Sequence, residues 1–103
     1  MRAVQAVAPS RQPAAERDLA IVVPEATPAA RIAEAIRESA GAQLVSLALF
    51  DIYRGTPLAN DEKSLAWRLA FQSADRTLTE PEIEAALADI TRAVAAVGGR
   101  IRT

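Results

Sequence analysis

The stretch LFDIYRG, residues 49–55, ends an apolar run with side chains that suit contact with a nucleobase. Successive side chains of a strand point to opposite faces, so Asp51 and Tyr53 are expected on one face and Phe50 and Ile52 on the other. A tyrosine ring offers a flat surface for stacking, and a carboxylate only accepts hydrogen bonds. Together they would suit a base that carries N–H donors, such as guanine. Either residue alone is ambiguous, because a strand-end Tyr commonly packs and a strand-end Asp commonly closes a turn.

The composition argues against catalysis. The 103 residues include no cysteine and no histidine, which excludes disulfides, thiol nucleophiles, zinc sites of the usual kind and histidine-based catalysis. Any chemistry would depend on carboxylates, hydroxyls, arginines or the single Lys63. We therefore predict a non-catalytic chain with no metal site and no cofactor.

The charge balance limits the partners that the chain could bind by itself. Twelve basic residues face 13 acidic ones, and such a near-neutral chain is not expected to bind nucleic acid strongly without specificity. All the basic residues except Lys63 are arginines, which suit forked phosphate contacts and stacking on planar rings.

The length and hydropathy indicate one small domain. A chain of 103 residues can bury a single core, and no apolar run approaches the roughly 18–20 residues that a membrane helix needs. Residues 1–16 are expected to form a lead-in segment and residues 17–103 the domain. The arginines of the lead-in only loosely resemble a transit peptide and no secretory signal is visible, so the cytoplasm is the expected compartment.

Two helices are predicted from their end signals. In TPAARIAEAIRESAG, Thr27 suits the N-cap, Pro28 the first helical position and Gly41 the left-handed stop. In TLTEPEIEAALADITRAVAAVGG, Thr79 and Glu82 have the spacing of a capping box, and apolar residues recur every three or four positions.

Four strands are predicted around these helices. The runs are DLAIVV (18–23), LVSLALFDIY, KSLAWRLAFQS and a short final RIRT. The order β–α–β–β–α–β indicates an α+β, ferredoxin-like fold, a four-stranded antiparallel sheet with two helices on one face. The apolar residues of the third strand, expected toward the helices, are Leu65, Trp67, Leu69 and Phe71.

The other face of the sheet would be open, and strand alternation predicts its residues. With Phe50 and Ile52 directed toward the helices, the second and third strands place on the open face Leu47, Leu49, Asp51, Tyr53, Ser64 and Arg68. Single-stranded RNA is commonly recognised on such a face, by a stacking ring and a few hydrogen-bonding groups.

Four motifs in this order and spacing, RDLAIVV, LFDIYRG, KSLA and DRTLTEPEI, closely resemble the ferredoxin-fold anticodon-binding domain. That domain ends the β subunit of bacterial phenylalanyl-tRNA synthetase and the single-chain organellar enzyme. The resemblance runs from about Pro9 to the C-terminus. It implies that Tyr53 stacks on the first anticodon base, a guanine, and that Asp51 and Ser64 hydrogen-bond to it.

The resemblance also implies partners: phenylalanine-specific tRNA, the remainder of the β subunit and the α subunit. On position alone, Arg54, Lys63 and Arg68 are candidate contacts to phosphates or base planes. Gln12 and Glu16 depart from the aromatic or basic residues common there in the family, which argues against RNA contacts by the lead-in. The family's catalytic residues lie elsewhere in the synthetase.

Three other classes of domain share this order of strands and helices. In an RNA-recognition motif, exposed aromatics would fall on Leu65 and Trp67 and would turn Arg68 toward the helices, which is costly without a partner. An amino-acid-sensing regulatory domain is the main alternative, although VVPEATPAAR lacks the glycine-rich turn that would receive the ligand. An acylphosphatase-like enzyme would need a glycine-rich anion loop, which the sequence does not show.

Overall fold

A computed structural model describes residues 14–102 of the chain. The elements follow in the order β1 (Ala15–Pro24), α1 (Ala29–Ala40), a 3-10 turn (Gly41–Gln43), β2 (Leu44–Tyr53), β3 (Glu62–Phe71), α2 (Glu80–Ala96) and β4 (Arg100–Arg102). The strands form one antiparallel sheet in the order β2-β3-β1-β4. The predicted ferredoxin-like fold is thereby confirmed. Of the lead-in predicted for residues 1–16, residues 1–13 lie outside the described part, and β1 begins within the remainder at Ala15.

The core lies between one sheet face and the two helices. Its largest buried residues are Ile21, Val23, Leu65, Trp67, Leu69 and Phe71 from the sheet and Ile32, Ile36, Ile83, Ile90 and Val94 from the helices. The inward set predicted for the third strand is therefore confirmed. Within residues 14–102, neither helix is long and apolar enough to cross a membrane.

The predicted helix ends are confirmed at two of four signals, the capping box of α2 and Gly41 after α1. Thr79 and Glu82 form the capping box, in which the Glu82 carboxylate accepts from the Thr79 N–H at 2.8 Å. Gly41 follows α1 with a φ of 75°, which a glycine adopts without strain. The predictions for Thr27 and Pro28 were both wrong by one position, because Pro28 is the N-cap residue and α1 begins at Ala29. The Thr27 N–H instead donates to the Pro24 carbonyl at 2.9 Å, in the turn that ends β1.

The capping box at α2 should make stability depend on pH in acid. Arg76 donates to the Glu82 carboxylate, with Nη1–Oε1 at 2.6 Å, and this contact and the Thr79 N–H lower the pKa of Glu82 from 4.5 to about 2. A lowered pKa means that folding favours the ionised carboxylate. Its contribution to the free energy of unfolding is complete above pH 4.5 and is lost as the pH falls toward 2.

We expect Glu82→Gln to flatten the decline of stability across this window of acid pH. Urea unfolding at a series of pH values measures the decline. Glu84→Gln, at an exposed glutamate of the same helix, is the matched control and should leave the decline unchanged. Identical pH profiles for wild type and Glu82→Gln would contradict the prediction.

Strand β2 departs from regular alternation at two bulges. Its pairing with β3 shifts register between Leu44 and Ser46 and again between Leu49 and Asp51, so Val45 and Phe50 are extra residues without a partner in β3. A bulge sets two residues of one strand opposite one residue of its neighbour. The faces expected for the residues before and after Phe50 are therefore not in phase.

Because of the second bulge, part of the face assignment predicted for β2 was wrong. Leu47 and Leu49 pair with Leu69 and Trp67 of the core, so they lie on the helix side, and their predicted place on the open face was wrong. Phe50, predicted to point toward the helices, instead contacts Arg68 on the open face. Alternation read back from Asp51 fails because the bulge adds one residue between Asp51 and Leu49.

Candidate nucleic-acid interface

The side chains of the sheet face without helices form rows across the strands, two of which cross all four strands. One row is Tyr53, Ser64, Val22 and Arg100, and the next is Asp51, Ala66, Ala20 and Arg102. A third row contains Ala48, Arg68 and Asp18. The structure thus places Asp51, Tyr53, Ser64 and Arg68 on one face, as the sequence predicted. In the second row, only the small side chains of two alanines lie between Asp51 and Arg102.

The side chains of Tyr53 and Arg102 contact each other over the open face of the sheet. The guanidinium carbon of Arg102 lies 5.3 Å from the centroid of the Tyr53 ring, and the Tyr53 hydroxyl donates to the Thr56 carbonyl. Strands β3 and β1 separate the two residues, and neighbouring strands lie about 4.8 Å apart. The two side chains must therefore extend over the sheet toward each other.

Two neighbours of Tyr53 in its own row are closed to solvent. Val22 is 1% exposed and Ser64 is 3% exposed although both belong to the open face. Tyr53 itself is 41% exposed, and Asp51 is exposed beside it. The structure therefore presents the ring and the carboxylate to solvent, whereas Ser64 as a residue is almost fully buried.

Arg68 is held in place on the same face. It donates from Nε and Nη2 to the two carboxylate oxygens of Asp18, at 2.9 and 3.0 Å. The pair lowers the pKa of Asp18 and raises that of Arg68, chiefly through these hydrogen bonds. The Arg68 guanidinium carbon lies 4.8 Å from the centroid of the Phe50 ring. Arg68 thus covers an aromatic ring, and its positive charge is balanced by the Asp18 carboxylate on the neighbouring strand β1.

Arg54 and Lys63 gather around Glu25. Arg54 donates to both oxygens of the Glu25 carboxylate, at 2.6 and 2.8 Å, and the Lys63 Nζ lies 4.0 Å from it. The hydrogen bonds from Arg54 lower the pKa of Glu25, and the carboxylate raises the pKa of Arg54. Lys63 pairs with Val23, a core residue, so its side chain leaves the sheet on the helix side. The structure does not bring Lys63 together with Asp51 and Tyr53.

Arginines of β4 are a feature that sequence reasoning missed. Arg100 donates to the Glu62 carboxylate, with Nη1–Oε2 at 2.7 Å, and this contact lowers the pKa of Glu62. Arg102 has no carboxylate partner among residues 14–102. The only available signal was the alternation in RIRT, which is too short to show where these side chains reach. In the same part of the chain, no group of acidic side chains is arranged to hold a metal ion.

Known proteins with similar sequences are consistent with this architecture. Residues 10–102 match the model of the ferredoxin-fold anticodon-binding domain. The chain is 54% identical over 84 residues to the phenylalanine–tRNA ligase beta subunit of Moorella thermoacetica, covering 82% of this chain and 10% of that protein. It is 43% identical over 94 residues to the beta subunit of Aromatoleum aromaticum, covering 90% of this chain and 12% of the relative. The chain thus spans about a tenth of the length of these relatives.

The family match covers nearly the whole chain, and its described part has the ferredoxin-like strand order. The motifs LFDIYRG and KSLA are also adjacent in the structure, because Tyr53 and Ser64 are direct neighbours across β2 and β3. The chain therefore belongs to the ferredoxin-fold anticodon-binding domain family.

Proposed function

We propose that this chain is the tRNA-binding module of a phenylalanyl-tRNA synthetase β subunit and that its open sheet face reads the first anticodon base. The observation that carries the proposal is the placement of exposed Asp51 and Tyr53 on one face, with Ser64 in the row of Tyr53. The family match and the names of the relatives support the same role. The module itself is non-catalytic. Its partners are phenylalanine-specific tRNA, the rest of the β subunit and the α subunit, in the cytoplasm.

In this proposal the first anticodon base stacks on the Tyr53 ring. Asp51 accepts hydrogen bonds from the N–H groups on the Watson–Crick edge of guanine, and Ser64 supplies a hydroxyl that donates or accepts. Stacking holds any base, whereas an acceptor-only carboxylate favours guanine. Affinity and discrimination therefore belong to different side chains.

The arrangement of Arg102 implies a local change on binding. Its guanidinium lies over the Tyr53 ring, and Ser64, the neighbour of Tyr53 in the same row, is buried. A base that stacks on this face of the ring requires Arg102 to move aside. The movement breaks no ion pair with a described residue, and exposed side chains change rotamer within nanoseconds. Arg102 is therefore a cover that RNA can displace at small cost.

Phosphate contacts are proposed for Arg54, Lys63 and Arg68. Each of them is already close to a carboxylate, which offsets its positive charge. The electrostatic attraction between these residues and an RNA phosphate is therefore weak. Because neutralisation of phosphates supplies most of the affinity of such proteins, the chain alone should bind RNA weakly. Binding is best measured at low ionic strength.

The test is a titration of the 103-residue chain with anticodon stem-loops that differ only at the first anticodon base. Wild type should prefer guanine. Tyr53→Ala should weaken every stem-loop by a similar factor, equivalent to about 1–3 kcal/mol, because stacking is insensitive to the identity of the base. Tyr53→Phe should be nearly silent, since it loses only the bond to the Thr56 carbonyl.

Val45→Ala, at an exposed residue of the same strand, is the control for general effects on β2. Tyr53→Ala binding that equals that of this control would contradict the proposal. The NMR signals of Asp51 and Tyr53 should move when RNA is added and stay still with free phenylalanine. The reverse result would instead indicate the amino-acid-sensing domain.

A further inference from the structure

The bulge in β2 exposes a second aromatic ring on the open face. Phe50 is 51% exposed, and it lies beside Asp51, the proposed reader of the first anticodon base. The chain contains two phenylalanines, and the other one, Phe71, is 1% exposed in the core. Nothing in the roles proposed above uses the Phe50 ring.

The Phe50 ring contacts a guanidinium that is itself bound to a carboxylate. The Arg68 guanidinium covers it at 4.8 Å, and two hydrogen bonds to Asp18 hold that guanidinium in place. A cation over one face of an aromatic ring is attracted by the ring's quadrupole. Because the ring is still half exposed, a further planar group can stack on the part of its surface that Arg68 does not cover.

The position of Phe50 relative to Tyr53 suits successive nucleotides. The two residues lie three positions apart on one strand, which corresponds to about 10 Å at the usual rise, and both face away from the helices. Proteins that bind single strands commonly stack successive bases on separate aromatic side chains along a groove. Asp51 lies between the two rings, so the base that it reads would be flanked by a second stacked base.

We propose that Phe50, backed by Arg68 and Asp18, is a second stacking site, which binds the nucleobase adjacent to the one on Tyr53. This proposal rests on the proposed function. Phe50 has no hydrogen-bonding group, so the site accepts any base and contributes affinity rather than discrimination. Arg68 acts here as a fixed plane behind the ring, with Asp18 as its positioning residue.

The first measurement follows the phenylalanine ring signals of the wild-type chain by NMR, as an anticodon stem-loop with guanine first is added. The Phe50 signals should shift on binding, and the Phe71 signals should remain unchanged as an internal control, because Phe71 is buried in the core. A complex in which the Tyr53 ring signals shift but those of Phe50 do not would overturn the proposal. This readout needs no substitution, so it does not depend on a variant that folds.

The second measurement is a double-substitution cycle, which isolates a pairwise interaction. Phe50→Leu keeps an apolar side chain at the bulge and removes the ring. It should weaken binding about fivefold or more, with no change in the slope of affinity against salt, because no charge is lost. The loss should vanish with a stem-loop that is abasic at the nucleotide stacked on Phe50.

Two abasic stem-loops identify that nucleotide, one lacking the second anticodon base and one lacking the base that precedes the anticodon. Val45→Ala is the control for an apolar change elsewhere on β2. Phe50→Leu with no loss, or with the same loss against both abasic stem-loops, would overturn this proposal alone. A wild-type chain that binds no stem-loop, or binds independently of Tyr53, would overturn the proposed function and this site with it.

Discussion

Replacing Trp67 with alanine should lower the free energy of unfolding by about 3–5 kcal/mol, among the largest losses expected from one substitution in this chain. Trp67 is 4% exposed and pairs with Leu19 and Leu49 on the helix side of the sheet. Its removal leaves a cavity in the middle of the core, which the neighbouring strands and helices can only partly fill. Urea unfolding measures the loss.

Trp67→Phe separates the packing of the ring from its polar atom. Among the described residues the Trp67 Nε1 is buried and has no hydrogen-bond partner, so phenylalanine removes an unsatisfied donor while keeping an aromatic ring. We expect a cost well below that of Trp67→Ala. A loss for Trp67→Ala no greater than that of Val45→Ala, at an exposed position, would contradict the burial of this ring.

Replacing Asp51 with alanine should reduce the preference for guanine at the first anticodon position by about tenfold or more, because specific hydrogen bonds to one base are typically worth about 1–3 kcal/mol of discrimination. The acceptor-only carboxylate rewards the N–H donors of guanine and leaves other bases mismatched. Ser64→Ala should have a smaller effect in the same direction, since its hydroxyl both donates and accepts.

The measurement compares affinities for stem-loops with each first base, in wild type and in Asp51→Ala. Glu84→Ala is the matched control, because it removes one negative charge from an exposed site on α2, in the helical layer. It should leave the guanine preference unchanged. An unchanged preference in Asp51→Ala as well would leave this residue without a role in reading the base.

The fold could be predicted because most local signals agree with it. Alternation in β3 is unbroken, so Leu65 and Trp67 were assigned to the correct face. The capping box of Thr79 and Glu82 fixes the start of α2 through contacts between residues close in sequence. In β2 the same reasoning failed, because apolar residues occupy both sides of the Phe50 bulge and no break in the pattern marks it.

The candidate site was predicted only in part, because its charged groups pair across strands. Arg68 meets Asp18 at a sequence separation of 50 residues, and Arg54 meets Glu25 at a separation of 29. Such pairs depend on the register of the sheet, which the sequence does not state. The reach of Arg102 toward Tyr53 depends in addition on the order of the four strands.

The bulges of β2 also affect the tendency of the sheet to aggregate through its outer strand. β2 is an outer strand of ten residues with exposed Val45 and Ile52, and an outer strand of this kind is a ready template for a strand of another molecule. Bulges bend and twist a strand, and they interrupt the regular spacing of its free N–H and C=O groups. Because β2 carries two bulges, at Val45 and Phe50, a straight strand cannot pair along its whole length. The irregularity that turns Phe50 to the open face thus also protects the sheet from edge-to-edge aggregation.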